Sequence, residues 1–367
     1  MLYINDKIHG SIEISNLAQS IIDTPEFQRL RRISQVGVVK WIFPSATHTR
    51  FEHSIGVYHL AKTFSKNLLW DKTLAQKSRL IELIGIAGLV HDLGHLAFSH
   101  LFESYLLSQG INFHHEELSQ NLFRTICIKY KINLTNEDID LIINLIHPPQ
   151  NWKDGRIWQG IQIGKWIYQI ISNPSTGIDV DKFDYIIRDS VYCGVTVSFN
   201  FDRIIKMSQI IDNEIIYPWK IRFNIFEMYL SRYEMHRQIY HHKTVMSLEI
   251  LISQILKHLN QTYDFKTMIN NYNILELTDD IIYKYDNIDI SNLLYRIDTR
   301  QFPKSCSKET AIYTISLTNS LSSNQQNPLT YIKYFNKNKA IIYANIEDYG
   351  ILASHDYKQK CIFYFTK

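Results

Sequence analysis

Cysteine is scarce in this chain and never clustered. Cys127, Cys193, Cys306 and Cys361 lie far apart along 367 residues, with no CxxC pair among them. That usage fits reduced thiols in an intracellular protein and argues against a disulfide framework. Long apolar runs are missing too. The longest, around Leu80 to Val90, is too short to cross a bilayer and is ended by His91 and Asp92. MLYINDKIHGSIEIS has no basic region followed by an apolar one, so no secretory signal is expected. Charge of one sign is also lacking: the net charge is +3, too little for nucleic-acid binding by bulk electrostatics, which leaves only a local basic pocket for that role. There are no internal repeats and no long charge runs. A soluble cytoplasmic protein without membrane association is expected.

What the chain does contain is apolar material for a large core and a strong bias to Ile, Asn, Tyr and Lys. Residues 1 to about 15 alternate as a short hairpin would, with Gly10 at its turn. Asp23-Thr24-Pro25-Glu26 has the form of a capped helix start leading into FQRLRRISQVG. Helical periodicity then dominates to about residue 260, broken by loops such as HPPQNWKDG and SNPSTG. TAIYTISLT, LTYIKYF, AIIYANI and KCIFYFTK are rich in β-branched and aromatic residues, and SLSSNQQNP between two of them reads as a loop. The expectation is a mostly helical domain over residues 1–304, opened by a short N-terminal β-hairpin, and a small α+β lobe over 305–367.

One stretch is costly as core. AGLVHDLGHLAFSH, Ala87 to His100, sets three histidines and an aspartate into an apolar run, and such groups need pairing or a metal. His91 and His95 are four apart and share one face if the helix continues through them. Asp92 then points about 100° away and reaches an ion only near a helix end. Further ligands must come from elsewhere, and His53 and Asp181 have suitable surroundings. A mixed His/Asp set suits Fe, Mn or Zn, with Mg as a second, carboxylate-bound ion.

The order H…HD…D, filled by His53, His91-Asp92 and Asp181, resembles the HD-domain metal-dependent phosphohydrolases. INDKIHGSIEI, IDTPEFQRLRRISQVG, FPSATHTRFEHSIGV, AGLVHDLGHLAFSHLFE, GIDVDKFDYIIRD and MHRQIYHHK are similar, in order, to motifs of the deoxynucleoside triphosphate triphosphohydrolases of the sterile-alpha-motif-and-HD type. NPLTYIKYF extends the resemblance weakly into the last lobe. It covers essentially the whole chain, with no sterile-alpha-motif domain expected before it.

The resemblance implies a fold, an HD-domain helical phosphohydrolase core over 1–304, and a reaction. Water attacks the α-phosphorus of a deoxynucleoside triphosphate, releasing deoxynucleoside and intact triphosphate. The leaving group is a 5′-alkoxide, so a general acid is needed. His100 matches that acid and His115 a supporting histidine. Glu103 stands where the family has aspartate. Arg50, Lys182 and Arg232 match phosphate-binding positions, and His95 one at the α-phosphate. Gln35, Tyr185 and Asp189 resemble the residues that hold the 3′-hydroxyl, and Tyr240 the one packed against C2′. His236, with His242, falls in the helix facing the nucleotide. His48 is read as support for the metal shell or as capping or packing, and His9, His59 and His147 as structural or exposed.

Regulation in the family comes from GTP or dNTP activators bound between subunits of a homo-oligomer, and a dimer or tetramer is expected here. Asp23, Gln28 and Arg31 match the guanine-reading positions; Arg203, Lys220, Asn224, His242, Lys243, Arg300 and Lys304 match others of the regulatory set. Two basic family positions fall on Leu2 and Pro218, so activation is expected to be weaker or altered. The competing functions are an HD-superfamily nucleotidase or phosphodiesterase acting on another nucleotide, and a catalytically vestigial module binding single-stranded nucleic acid.

Overall fold

In the computed structural model, residues 2–321, 327–350, 353 and 358–366 are described. The alternating N-terminus forms β1 (Leu2–Asp6) and β2 (Gly10–Ile14), paired antiparallel with Leu2 opposite Ile14. Gly10 sits at φ +70, a conformation that favours glycine. Ile12 and Ile14 bury the inner face. After α1 (Asn16–Ile22), Thr24 caps α2 (Pro25–Gln28) by accepting the Phe27 N–H, with Pro in the first turn.

The helix expected to run on through FQRLRRISQVG stops there. Arg29–Arg32 tightens into a 3₁₀ turn, and the next backbone groups find tertiary partners instead: Ser34 N–H donates to Asp279 and Gln35 N–H to the His48 carbonyl. Backbone groups satisfied by distant segments override helical propensity.

The central layer is α3 (Arg50–Leu68) against α4 (Lys77–Val90). Around it lie α5 (His100–Ser108), α6 (His115–Lys129), α7 (Asn136–Ile146) and α8 (Val180–Cys193). They are followed by α9 (Phe201–Met207), α10 (Arg222–Met235), α11 (Lys243–Tyr263), α12 (Phe265–Asn270) and α13 (Ile288–Asp298). α8 packs on the other side of α3, and α7 on α4. The chain is thus mostly α, as its periodicity predicts.

Two hairpins interrupt the helices where none is expected: β3 (Arg156–Trp158) with β4 (Ile161–Ile163), and β5 (Gln209–Ile211) with β6 (Glu214–Pro218). Strands of three to five residues are too short to show a period. The four apolar C-terminal segments do contain strands: β7 (Tyr313–Ser320), β8 (Lys333–Phe335), β9 (Ile341–Tyr343) and β10 (Lys358–Phe365). β7 and β10 pair antiparallel. β8 pairs antiparallel with β9 and parallel with β6, Tyr217 opposite Tyr334, so one four-stranded sheet draws on both sides of residue 304. Most of the SLSSNQQNP loop, residues 322–326, lies outside the described residues. All four cysteines are unpaired. Among the described residues no helix is long and apolar enough to cross a membrane.

Candidate active site

The site is built where α4 ends. Its last residue is Val90, and His91–Gly94 leaves it as a turn, so His91 and His95 do not share a helical face as the spacing suggests. Gly94 explains the turn: a Cβ there would lie 2.1 Å from the His115 carbonyl oxygen and 2.5 Å from the Ser119 nitrogen. Its own N–H donates to Ser119 Oγ at 2.7 Å. This packing against α6 sends His95 towards His115, while Asp92, freed at the helix end, turns back towards α3.

Donor atoms of His53, His91 and Asp92 lie within 4.8 Å of one another, all buried. Asp181, in the first turn of α8, joins them. Its Oδ1 is 3.1 Å from His53 Nε2 and 3.4 Å from His91 Nε2. His91 gives its Nδ1–H to the Gly88 carbonyl at 2.8 Å, which leaves Nε2 as the ligand atom, buried without a hydrogen-bond partner among the described residues. Carboxylate oxygens and imidazole lone pairs converging in this way repel unless a cation lies among them. Burial opposes charge on His53, but bonds to Asp181 and Asp184 and the charge of Asp92 overcome it and raise its pKa to about 10. Burial likewise opposes charge on Asp92, but the neighbouring Arg50 guanidinium outweighs it and holds the carboxyl well below the usual range. The donor set fits a divalent ion with His and Asp ligands.

A support lies behind His53 that the sequence reading missed. Asp184 accepts from His53 Nδ1 at 2.8 Å and from His9 Nε2 at 2.6 Å, and receives Arg188 through both Nε and Nη2. Arg188 also reaches Asp6 at 2.8 Å. The N-terminal hairpin therefore closes the back of the cluster, and His9 is not a bystander. A carboxylate that orients a metal-ligating imidazole is a common second layer of such centres. The signal was present in DKFDYIIRD, where Asp184 and Arg188 are four apart on α8.

Next to the ligands stands a histidine group. His95 stacks on His115, ring centroids 3.9 Å apart, and His100 meets both edge-on. Glu103 lies 3.1 Å from His115 Nδ1 and 3.5 Å from His100 Nδ1. Burial would raise the Glu103 carboxyl, yet bonds to His100 and His115 hold it well below the usual range. Burial, then the charges of Arg50 and His115, push His95 well down. His115 is raised despite burial, chiefly by its bond to Glu103. The stack thus pairs a neutral His95 with a His115 biased towards the charged form, beside an ionised Glu103. His100 is exposed, where it can meet a ligand.

Arg50 is drawn inward. Its guanidinium donates to Asp92 Oδ2 at 2.5 Å, Ser99 Oγ at 2.9 Å and the Gln35 carbonyl at 3.3 Å. Lys182 rests on Asp179, the cap of α8, at 2.9 Å. Arg232 donates to the Ser320 carbonyl at 2.8 Å. Tyr185, half-buried, is raised by burial against the charges of Arg232 and Lys182. His236 opens a π-helical turn, His236–Tyr240, and burial with the charges of Arg232, His241 and His100 holds it well below its ordinary pKa. Such π-turns recur at functional sites.

Asp189 accepts from Tyr240 Oη at 2.6 Å and from His48 Nε2 at 2.7 Å. His48 therefore holds Asp189 rather than supporting the metal shell. Asp279 is a second unforeseen residue. Buried near the start of a 3₁₀ turn, it accepts the Phe98 N–H at 2.7 Å and the Ser34 N–H at 3.0 Å. It thereby anchors Phe98 and Ser99, both at φ +57, directly before His100.

The positions matched to an activator lie elsewhere. Gln28 accepts from Arg31 Nε at 2.8 Å, close to the exposed Asp23. Arg203 on α9, Lys220 before α10 and Lys243 are exposed, and Asn224 on α10 donates to Glu227. His242 caps α11. Arg300 is exposed and donates to the Trp41 carbonyl at 3.0 Å; Lys304 is exposed.

Sequence comparison agrees with this architecture. The HD domain family matches residues 50–188, the span from Arg50 through all four metal-ligand candidates to Arg188. An HD domain-containing protein of Acanthamoeba polyphaga mimivirus is 38% identical over 362 residues, covering 93% of this chain and 76% of the relative. The deoxynucleoside triphosphate triphosphohydrolase SAMHD1 homolog of Dictyostelium discoideum is 36% identical over 306 residues, covering 82% of this chain and 55% of that protein. Human SAMHD1, also named a deoxynucleoside triphosphate triphosphohydrolase, is 36% identical over 274 residues, covering 69% and 44%. The chain belongs to the HD-domain family. It spans about half the length of the SAMHD1 proteins it matches.

Proposed function

We propose that this protein is a deoxynucleoside triphosphate triphosphohydrolase. The observation that carries the reading is the adjacency of two groups: the His53–His91–Asp92–Asp181 donor set and, bridged to it by His95, the His100–Glu103–His115 group. A divalent ion held by those four residues, Fe, Mn or Zn with Mg as a second, supplies Lewis-acid activation of water and of the phosphate.

The rest falls to the chain. A triphosphate carries about four negative charges, and Arg50, Lys182 and Arg232 are the cations assigned to meet them. His100, exposed, protonates the departing 5′-oxygen, while Glu103 holds His100 and His115 in place. Gln35, Tyr185 and Asp189 receive the 3′-hydroxyl, with Tyr240 closing the C2′ side, and His236 lines the nucleotide. A GTP or dNTP activator acts through Asp23, Gln28, Arg31, Arg203, Lys220, Asn224, His242, Lys243, Arg300 and Lys304 in a homo-oligomer, in the cytoplasm.

Removing the acid tests the assignment. His100→Ala is expected to lower the turnover of dGTP by about 10²–10⁴-fold while leaving bound metal unchanged, with triphosphate release followed by anion exchange with and without GTP. Full turnover in His100→Ala contradicts the role. Release of phosphate from a monophosphate, or cleavage of a phosphodiester, would move the site to another nucleotide.

A further inference from the structure

We infer that His48 is a positioning residue for sugar selection, holding Gln35, Asp189 and Tyr240 as one frame; the inference rests on the proposed deoxynucleotide site. Three segments are tied together around this residue, two of them directly and Tyr240 through Asp189. Its Nε2 is 2.7 Å from Asp189 Oδ1 on α8, whose other oxygen accepts from Tyr240 in the π-turn at 2.6 Å. Its main-chain carbonyl accepts the Gln35 N–H at 3.1 Å. A carboxylate with one donor on each oxygen has its plane fixed, so its remaining lone pairs point in set directions and can accept a sugar hydroxyl. Gln35 Oε1 is buried without a partner among the described residues, an acceptor still open to a ligand.

The His48 ring is itself locked. It is fully buried and stacks on Tyr192, centroids 4.5 Å apart and planes 21° apart. Tyr192 is tied by its hydroxyl to Glu52 at 2.9 Å and by its carbonyl to Ser45 Oγ at 2.6 Å. His48 Nδ1 has no partner among the described residues, so the polar work of the ring is confined to Asp189. Without that donor Asp189 keeps, among the described residues, only the Tyr240 bond, and its plane is no longer fixed. The loss falls on recognition of the 3′-hydroxyl rather than on the reacting phosphorus.

The test uses the metal-loaded full chain. His48→Phe retains the ring stack and the main-chain bond but removes the donor; His48→Gln restores a donor. Steady-state kinetics compare a 2′-deoxynucleoside triphosphate with its 2′,3′-dideoxy analogue, and calorimetry compares the two corresponding nucleosides. The preference for the 3′-hydroxyl is expected to fall about tenfold to a hundredfold in His48→Phe, as for loss of one hydrogen bond to a charged group. The change should lie in KM with kcat nearly kept and metal content unchanged, and His48→Gln should recover most of it. If His48→Phe does not fold, His48→Asn, too short to reach Asp189, reads the same ratio. A wild-type preference in the folded variant, or an equal loss of kcat on both substrates, overturns the inference. If the wild type releases no triphosphate, the proposed function fails separately. Calorimetry then still decides, since equal wild-type binding of the deoxy and dideoxy nucleosides overturns the sugar frame.

Discussion

Replacing His91 and Asp92 together by alanine is expected to strip the protein of its metal and lower triphosphate release by on the order of 10⁴-fold or more. Two of the four converging donors are lost, and those that remain, His53 and Asp181, are already 3.1 Å apart and able to satisfy each other. Asp92 also does more than donate. Its carboxylate is the buried counter-charge of Arg50, so its removal leaves a guanidinium that still donates to Ser99 and Gln35 but has lost its ionic partner. Elemental analysis of the purified variant separates the two effects: metal near zero with a cooperative melt is the expected result. Full metal content, or triphosphate release within tenfold of wild type, would remove these residues from the centre.

The second large effect is structural and lies outside the ligands. Gly56 on α3 faces α8, and a Cβ there would lie 2.0 Å from Asp184 Oδ1 and 2.5 Å from Arg188 Nη2. Both side chains are fully buried, and Asp184 is the carboxylate that orients His53. Gly56→Ala cannot be absorbed by a flexible side-chain end, because Asp184 is held by Arg188, His53 and His9 at once. Overpacking combined with disruption of a buried ion pair is expected to cost about 3–5 kcal/mol, read as a lower denaturation midpoint in urea. Metal affinity should fall in parallel. A midpoint unchanged from wild type would mean that α3 and α8 are not locked together at this point.

Much of this arrangement is legible in the sequence because chemistry leaves local marks. The HD pair stands out against its apolar run, and Gly10 and the Thr24-Pro25 cap announce their turn and helix start. Distances and partners leave no such mark. The end of α4 at Val90 depends on how Gly94 meets α6, 21 to 25 residues further on. The 3₁₀ turn at Arg29–Arg32 reflects partners at His48 and Asp279, the latter 245 residues from Ser34. Asp184 was readable as half of a helical ion pair with Arg188, but not as the residue behind His53. His48 reads equally as support for the metal shell, as a cap or as packing; its side chain crosses to Asp189. The hairpins at 156–163 and 209–218 leave no mark because strands of three to five residues carry no period.

The central claim is that water attacks the α-phosphorus and that the bond to the 5′-oxygen breaks. Isotope incorporation tests it most directly: turnover of one deoxynucleoside triphosphate by the metal-loaded protein in ¹⁸O-labelled water, with both products resolved by mass spectrometry. Attack at phosphorus places one ¹⁸O in the released triphosphate and none in the deoxynucleoside. Label in the deoxynucleoside, or release of pyrophosphate in place of triphosphate, would contradict both the assigned bond and the need for His100 as an acid.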